Sequence, residues 1–442
     1  MEPIRLLHCA DLHIGMENYG QIDPQTGINM RVVDFLRRFD EVIDQALARE
    51  ADLVLFAGDA FKTRDPNPTY QREFARRVKR LADAHVPAVL LVGNHDLPTM
   101  EKKASSVDIF RVLDVPGITV GWREEVHRVQ TRRGPVQVAT APYPLRSRLL
   151  ARDEFRGKTI EELDGYLQGL VCDMIRGMAA GLDPDLPAVL AGHFSVSGAV
   201  YGSERSVMIG RDVVIPKSVL ADPAWDYVAL GHVHKHQELN AGGYPAVVYS
   251  GSLERIDFGE EREPKGFCWV ELARGATRWE FVPVQARRFL TVRADARGAE
   301  DPTAAVLQAL QGHALEDTVV RVLIQLDAGQ EPAFREREVR AALAGAYYLA
   351  ALHKEVERPA RVRLGDRPAE GLSPQQLLRL YLENKQLAPG AITALLARAD
   401  EVMDEKGSEP AGEKASEKAS AQTSEKASEK ASESTSEKGS GV

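Results

Sequence analysis

The side chains with most chemical reach in this 442-residue chain are not spread evenly. Asp11 with His13, Asp59, the run Asn94-His95-Asp96, His193, and His232 with His234 occupy five short segments, each following a predominantly aliphatic run. They hold five of the eleven histidines, together with three carboxylates and an amide. Singly each residue is ordinary, since an aspartate after a strand commonly caps a helix or closes an Asx turn. Jointly, imidazole, carboxylate and amide donors make a set that can hold divalent metal ions. Such ions polarise phosphoryl oxygens and make hydroxide available near neutral pH. A shell mixing nitrogen and oxygen suits Mn(II), Fe(II) or Zn(II) better than Mg(II) or Ca(II), which prefer oxygen throughout.

Strands must bring these segments together. Ile4–Cys9, Asp52–Ala57, Pro87–Val92, Ala188–Ala191 and Tyr227–Leu230 read as strands, and the ligand-type residues lie just beyond their C-terminal ends. In open α/β sheets that edge is where sites assemble. Glycine precedes the polar residue in four of the five (Gly58, Gly93, Gly192 and Gly231), as a tight turn or close backbone approach requires. Asp34–Glu50 and Thr69–Ala84 carry apolar stripes at helical spacing, among them Phe35, Phe39, Val42 and Ile43, then Phe74, Val78 and Leu81. Continuous apolar strands separated by such helices imply a sheet covered on both faces. Val136–Ala141, Ala246–Ser250, Phe267–Leu272 and Trp279–Val284 are further strands; the later ones follow one another without helices, so the sheet becomes mixed or pairs with a second.

The composition narrows the function classes. Apolar residues make up 44% and charged residues 27%, enough for a substantial core. Cys9, Cys172 and Cys268 form no CxxC, which excludes a disulfide framework or a cysteine-built zinc site and fits a reducing compartment. No secretory signal is visible at the start, and no apolar run approaches the roughly 18 residues of a membrane span. Of the net charge of −9, the stretch from Asp400 onward carries −5. Basic side chains cluster at Arg72, Arg76, Arg77, Lys79 and Arg80, at Lys102 and Lys103, and at Arg146 and Arg148. Those clusters either follow a phosphate backbone or are solvated helix faces.

From about residue 286 the pattern changes. Strands at Phe289–Arg293, Val319–Gln325 and Leu349–Glu355 alternate with helices at Pro302–Gln311 and Glu331–Ala346, a small α+β unit over 286–365. Residues 370–405 read as two amphipathic helices, the first begun by Ser373-Pro374 and the break marked by Pro389-Gly390. Their stripes pack on their own chain or dock a partner. Residues 406–442 repeat Ser-Glu-Lys-Ala without apolar anchors, a composition expected to stay disordered.

The ordered blocks Asp-x-His, Gly-Asp, Gly-Asn-His-Asp, Gly-His and Gly-His-x-His resemble the signature of the calcineurin-like metallophosphoesterase superfamily. Ser203-Glu204-Arg205, the string from Tyr249 to Glu261 and Lys265-Gly266-Phe267 narrow the resemblance to the SbcD family, nuclease subunits of SbcC–SbcD complexes and relatives of the Mre-type break-repair nucleases. It covers residues 4–272 strongly and thins beyond them. It implies an α/β fold: a metallophosphoesterase core of mixed sheets sandwiched between helices over 1–285, a capping domain over 286–365, and a helix pair over 370–405 that docks an ATPase.

The resemblance further implies that Asp11, His13, Asp59 and His234 hold one metal, and Asp59, Asn94, His193 and His232 the other, with Asp59 bridging. Two Mn(II) ions are the family expectation. With only two carboxylates against four positive charges, the centre stays cationic and suits a phosphodiester. His95 is left over as the group that protonates or neutralises the leaving sugar oxygen, work that imidazole does near neutral pH. The implied activity is a manganese-dependent DNA nuclease, a 3′→5′ double-strand exonuclease and single-strand or hairpin endonuclease of DNA repair and recombination, acting by two-metal in-line attack of hydroxide. The implied partner is an SbcC-type SMC-like ATPase. The chain has no GxxxxGK[ST], so any ATP dependence comes from that partner. A homodimer within a heterotetramer, formed through Thr69–Ala84 and Ser106–Leu113, and a cytoplasmic, nucleoid-associated location complete the picture. Lys62, Arg64, Ser203, Arg205 and Arg255 are candidate DNA contacts, and the loops of the last three could equally shape the metal pocket. Lys62 departs from the family pattern: it stands where phosphatases of the superfamily carry an aspartate that orients the catalytic histidine, and a lysine side chain cannot accept that hydrogen bond. A stand-alone metallophosphatase or small-nucleotide phosphodiesterase, and a non-catalytic scaffold, are the alternative readings.

Overall fold

The computed structural model describes residues 2–97, 103–146, 149, 155, 157–202, 212–357, 373–385 and 387–406. Two six-stranded sheets form the body of the protein. One runs in the order Arg278–Pro283, Gly266–Leu272, Ile4–Cys9, Leu53–Phe56, Ala88–Leu91, Ile118–Gly121; its last four strands are parallel. The other runs Gln237–Glu238, Ala246–Tyr249, Tyr227–Gly231, Ala188–His193, Gly134–Ala141, Glu125–Thr131, with its four central strands parallel. The inner faces make one apolar layer in which Leu6, Leu53, Leu55 and Val89 join Val138, Val189, Tyr227 and Ala229. The outer face of the first sheet packs on helices Met30–Ala48 and Pro68–Asp83, and that of the second on Ile160–Ala180. Mixed sheets between helices are therefore what the continuous apolar strands encode.

One polar group interrupts the inner layer. His8, fully buried, meets the Tyr227 hydroxyl at 3.1 Å and the Leu230 carbonyl at 3.2 Å, which ties the two sheets together near the edge where the polar loops emerge. Burial pushes its pKa down to about 3, so the ring stays neutral in the folded protein.

The helix expected from Asp34 begins earlier, at Met30, because the Asn29 side chain caps it by accepting from the Arg31 N–H at 2.9 Å. The short strands Ile118–Gly121 and Glu125–Thr131 and the helix Ile160–Ala180 were not among the expected elements. In the small unit, strands Arg288–Asp295, Thr318–Asp327 and Tyr348–Glu357 are all parallel, with helices Pro302–Leu310 and Glu336–Ala342 in the crossovers. The helix expected over Glu331–Ala346 splits into a short 3₁₀ turn at Glu331–Ala333 and the helix Glu336–Ala342. Phe334 is extended and buried in the unit's core, and the Arg335 N–H is taken by the Thr303 hydroxyl at 2.9 Å. In a second compact unit, helices Pro374–Asn384 and Pro389–Lys406 pack through Leu382, Ile392 and Leu396. The Ser-Glu-Lys-Ala tail lies outside the described residues. Among those described, no helix is long and apolar enough to cross a membrane, and all three cysteines are buried thiols.

The sheets meet so closely at the polar edge that a methyl on Gly231 would stand 2.1 Å from the Ala57 carbonyl oxygen. Gly177, exposed on helix Ile160–Ala180, has nothing within 4 Å. Gly231→Ala is expected to cost about 1–3 kcal/mol through overpacking, whereas Gly177→Ala gains about 0.5–1 kcal/mol from reduced unfolded-state freedom. Thermal midpoints of the two variants, moving in opposite directions from that of the parent, check this.

Candidate metal centre

The loops leaving the strand ends zip together before they diverge. The Asp11 N–H donates to Gly58 O, the His13 N–H to Asp59 O and the Ile14 N–H to Ala60 O, each at 3.0 Å. The Asp96 carboxylate accepts from the backbone N–H groups of Asp59 (2.9 Å), Ala60 (3.1 Å) and Gly93 (3.1 Å), clasping the second loop to the third. That role explains a third carboxylate without a place in the ligand set. Gly93 lies so near that a β-carbon would fall 2.1 Å from Asp59 Oδ1. Asp11, His13, Asp59 and His232 all sit at positive φ, between 48° and 92°. Backbone held there persists only where its surroundings impose it, and it concentrates at functional sites.

These turns bring the seven residues expected as ligands into two touching groups. Asp11, His13 and His234 form one, and Asp59, His193 and His232 the other, each with ligand atoms within 4.8 Å of one another. Asp59 Oδ2 lies between them, 3.8 Å from His13 Nε2 and 3.3 Å from His193 Nε2. The Asn94 amide oxygen joins the second group, 3.1 Å from His193 Nε2 and 3.0 Å from His232 Nδ1. Asp11, His13, Asp59, His193 and His232 are buried to 2% exposure or less.

Hydrogen bonds to the other ring nitrogens decide what the imidazoles offer. His193 Nδ1–H donates to the Ala57 carbonyl at 2.7 Å, His232 Nε2–H to Asp212 at 2.7 Å, and His234 Nδ1–H to Glu260 at 2.9 Å. The remaining nitrogens therefore face acceptors: His193 Nε2 and His232 Nδ1 face Asn94 Oδ1 and Asp59, and His234 Nε2 faces His13 Nε2 at 3.0 Å. Once the His193 proton is displaced, the lone pairs of these buried groups converge where a cation would satisfy them. The Nε2 atoms of His13 and His234 stand 3.0 Å apart, close enough for one ion to engage both. The residues fit a pair of divalent ions. Burial raises Asp59, but His193, His95 and His13 outweigh it and hold the carboxyl well below the usual range. Burial lowers His193, yet Asp59 and Asp11 bring it to about 9.

His95 stands beside the ligands. Its N–H donates to Asp59 Oδ1 at 2.9 Å, and its ring meets that of His13 edge-on at 4.9 Å between centroids. Its Nδ1–H donates to the backbone carbonyl of Lys62 at 2.6 Å. The orienting acceptor that a lysine side chain cannot provide is thus supplied by the main chain, itself pinned by the Lys62 N–H to Ile14 O bond at 3.0 Å.

The candidate DNA contacts divide. Lys62 is half-buried and Arg64 exposed; Ser203 and Arg205 lie outside the described residues. Arg255 is spent differently from the expectation of a DNA contact. Its guanidinium donates to the carbonyls of Arg287 (2.9 Å), Glu263 (2.9 Å) and Glu260 (3.2 Å), inside the protein. The basic cluster on Pro68–Asp83 is largely paired: Arg77 with Asp40 and Glu73, Arg80 with Asp40 and Asp44, Lys79 with Asp83. The sequence reading missed two carboxylates behind the histidines. Glu260 lies within the Tyr249–Glu261 string, so a signal was present, but Asp212 belongs to no motif.

A ring titrating at about 9 is protonated at neutral pH, and a metal must displace that proton because it needs the Nε2 lone pair. Mn(II) binding to wild-type protein at pH 7.5 should release close to one proton per chain, and tighten as pH rises towards 9. Calorimetry in buffers of different ionisation enthalpy reads this directly. Binding heats independent of the buffer would contradict the assignment.

Residues 4–236 match the family described as Calcineurin-like phosphoesterase. Over 338 residues the chain is 29% identical to the SbcD chain of the nuclease SbcCD from Rhodobacter capsulatus, covering 71% of this chain and 77% of that one. The Bacillus subtilis protein of the same name is 26% identical, over 73% of this chain and 80% of the relative. "DNA double-strand break repair protein Mre11" of Halobacterium salinarum is 28% identical, over 73% and 71% respectively. The five polar loops converge at the edges of two sheets, and the match takes in every one of them, so the chain belongs to the calcineurin-like phosphoesterase family as a metal-dependent hydrolase.

Proposed function

We propose that the protein is a manganese-dependent DNA nuclease, the nuclease component of an SbcC–SbcD-type repair and recombination complex. The observation that carries the reading is the geometry around Asp59: one carboxylate oxygen lies between two buried ligand groups, and His95, whose ring nitrogen also comes within 4.8 Å of the His13 and Asp59 ligand atoms, is held at its edge by the Lys62 carbonyl. Relatives named as SbcCD nuclease and Mre11 proteins align across most of this length, which favours a polynucleotide over a small phosphate ester.

Two bound divalent ions would supply positive charge for a phosphodiester and acidify a water molecule; Mn(II) is proposed, with Fe(II), Zn(II) or Mg(II) as substitutes. The chain's own contribution is positional. Asp11, His13, Asp59 and His234 would hold one ion, and Asp59, Asn94, His193 and His232 the other. His95 keeps its proton on Nδ1 because the Lys62 carbonyl can only accept, so Nε2 is the atom that exchanges a proton with the leaving sugar oxygen. The proposed activities are 3′→5′ double-strand exonuclease and single-strand or hairpin endonuclease.

The rest of the chain is given roles on the same basis. The small parallel sheet is proposed as a cap over the centre; Tyr19, Phe258, Phe289 and Tyr348 pack where it meets the polar loops. Helices Pro374–Asn384 and Pro389–Lys406 are proposed to dock an SMC-like ATPase, and their exposed Tyr381, Leu387 and Leu395 are consistent with a partner. A homodimer within a heterotetramer and a cytoplasmic, nucleoid-associated location belong to the same proposal. The alternative is a stand-alone phosphatase or small-nucleotide phosphodiesterase on the same ligands.

Linear duplex DNA, a hairpin and a chromogenic phosphodiester, each with Mn(II) or Mg(II), separate the readings. Cleavage of both DNA substrates, faster with manganese, is expected; cleavage of the chromogenic diester alone would favour the alternative. His95→Gln should retain two ions per chain by metal analysis and lose turnover by about 10²–10⁴-fold, the range for removing a general acid or base. Loss of bound metal in that variant would make His95 a ligand instead.

A further inference from the structure

His232 and His234 are separated by a single residue, yet they present different nitrogens. His232 gives its Nε2–H to Asp212, leaving Nδ1 to face Asn94; His234 gives its Nδ1–H to Glu260, leaving Nε2 to face His13. The two carboxylates differ in what surrounds them. Glu260 Oε1 accepts from His234, while Oε2 accepts from the Ile256 backbone N–H at 2.9 Å and faces the Lys265 ammonium at 2.9 Å. Glu260 and the Lys265 side chain are completely buried, and Lys265 also donates to the His234 carbonyl at 3.1 Å. A backbone N–H and an ammonium can only donate. Whatever occupies position 260 must therefore turn an oxygen to them, and its other atom decides which nitrogen of His234 carries the proton.

We propose that Glu260 is the positioning residue that fixes His234 in the Nδ1–H tautomer and so turns the lone pair of Nε2, the nitrogen facing His13, to the first metal site. This rests on the metal-centre reading and extends it to a residue outside the ligand set. The consequence for the isosteric amide is specific. In Glu260→Gln the amide oxygen stays on Ile256 and Lys265, the NH₂ turns to His234 Nδ1, and the ring proton moves to Nε2, where it blocks the metal. Asp212 does not share this constraint. Its oxygens accept from the hydroxyls of Tyr143 (3.0 Å) and Ser195 as well as from His232. Hydroxyls rotate and accept as readily as they donate. An amide at 212 can keep its oxygen on His232 and turn its NH₂ to Tyr143, so Asp212→Asn leaves the tautomer of His232 unchanged.

Long-range ¹H–¹⁵N correlation of the imidazole nitrogens in metal-free protein reads the tautomers, and Mn(II) titration by electron paramagnetic resonance reads the sites. In wild type, His234 is expected as Nδ1–H, with two ions bound. In Glu260→Gln, His234 should switch to Nε2–H and one ion should bind at least about tenfold more weakly, the range for losing a partner of a metal-bound histidine. Asp212→Asn should leave His232 as Nε2–H, the readout that separates the two carboxylates. Glu260→Gln leaves Lys265 with less countercharge, so Glu260→Gln with Lys265→Met carries the same test if the single variant unfolds. The Ile256 N–H still holds the amide oxygen there, and the same switch is expected. His234 remaining Nδ1–H in the folded amide variant, or full manganese affinity in it, overturns the proposal. A tautomer switch in protein whose wild type binds no pair of ions supports the control by Glu260 and overturns the metal-centre reading instead.

Discussion

Seven donor groups from five loops converge at the joined edges of two sheets, the carboxylates and imidazoles of each group within 4.8 Å of one another, and five of the seven are buried. Without a cation the groups are bridged only by ring protons such as the one His193 carries at neutral pH, and such a proton occupies a lone pair that a metal needs. The polypeptide must hold these groups in place. The inner apolar layer brings the sheet edges together, and Gly93 and Gly231 let backbone and carboxylate approach to distances that a methyl group would forbid. The Asp96 clasp and the zipped loops then impose positive φ on Asp11, His13, Asp59 and His232, at a cost of roughly 1–3 kcal/mol for each strained residue. Part of the sandwich's packing energy is accordingly tied to arranging these few atoms.

Directional hydrogen bonds finish what packing begins. A carbonyl or a carboxylate behind an imidazole leaves one tautomer, so Ala57, Asp212, Glu260 and Lys62 each convert a ring of two equivalent choices into a group of defined chemistry. The support extends outward from Glu260. Arg255 binds the Glu260 carbonyl and those of Arg287 and Glu263, Glu254 accepts from the N–H groups of Arg255 and Arg287, and Arg31 joins Glu254 to Asp34. Arg287 closes the circuit on Asp34 at 2.5 Å and lies over the Tyr347 ring at 3.8 Å. One buried polar network therefore runs from a metal-facing histidine to the first and last strands of the small sheet.

Local features of the fold were legible because local patterns encode them. Continuous apolar strands, glycines before polar residues and helical stripes placed the five loops at the strand ends correctly. What could not be read locally was pairing across the chain. The cluster from Arg72 to Arg80 looks like a phosphate track until Asp40 and Asp44 are brought against it from the preceding helix, which leaves mainly Arg72, Arg76 and Lys79 on the exposed side. Arg255 reads as a free cation, yet it faces carbonyls of loops up to 32 residues away. Asp212 has no motif at all, and only the second sheet's geometry shows it reaching His232 twenty residues later.

Lys62 shows why such departures need structure to weigh them. A side-chain comparison treats the missing carboxylate as the loss of the group that orients the catalytic histidine. The bond to His95 is nevertheless present, because the acceptor is the main chain, and every residue type offers that carbonyl. The two acceptors are not equivalent. A carboxylate would add negative charge beside the ring and stabilise imidazolium, whereas a carbonyl orients the ring with far less electrostatic pull on the proton. Substitution at position 62 acts on the charge that side chain presents, while the tautomer of His95 stays with the backbone.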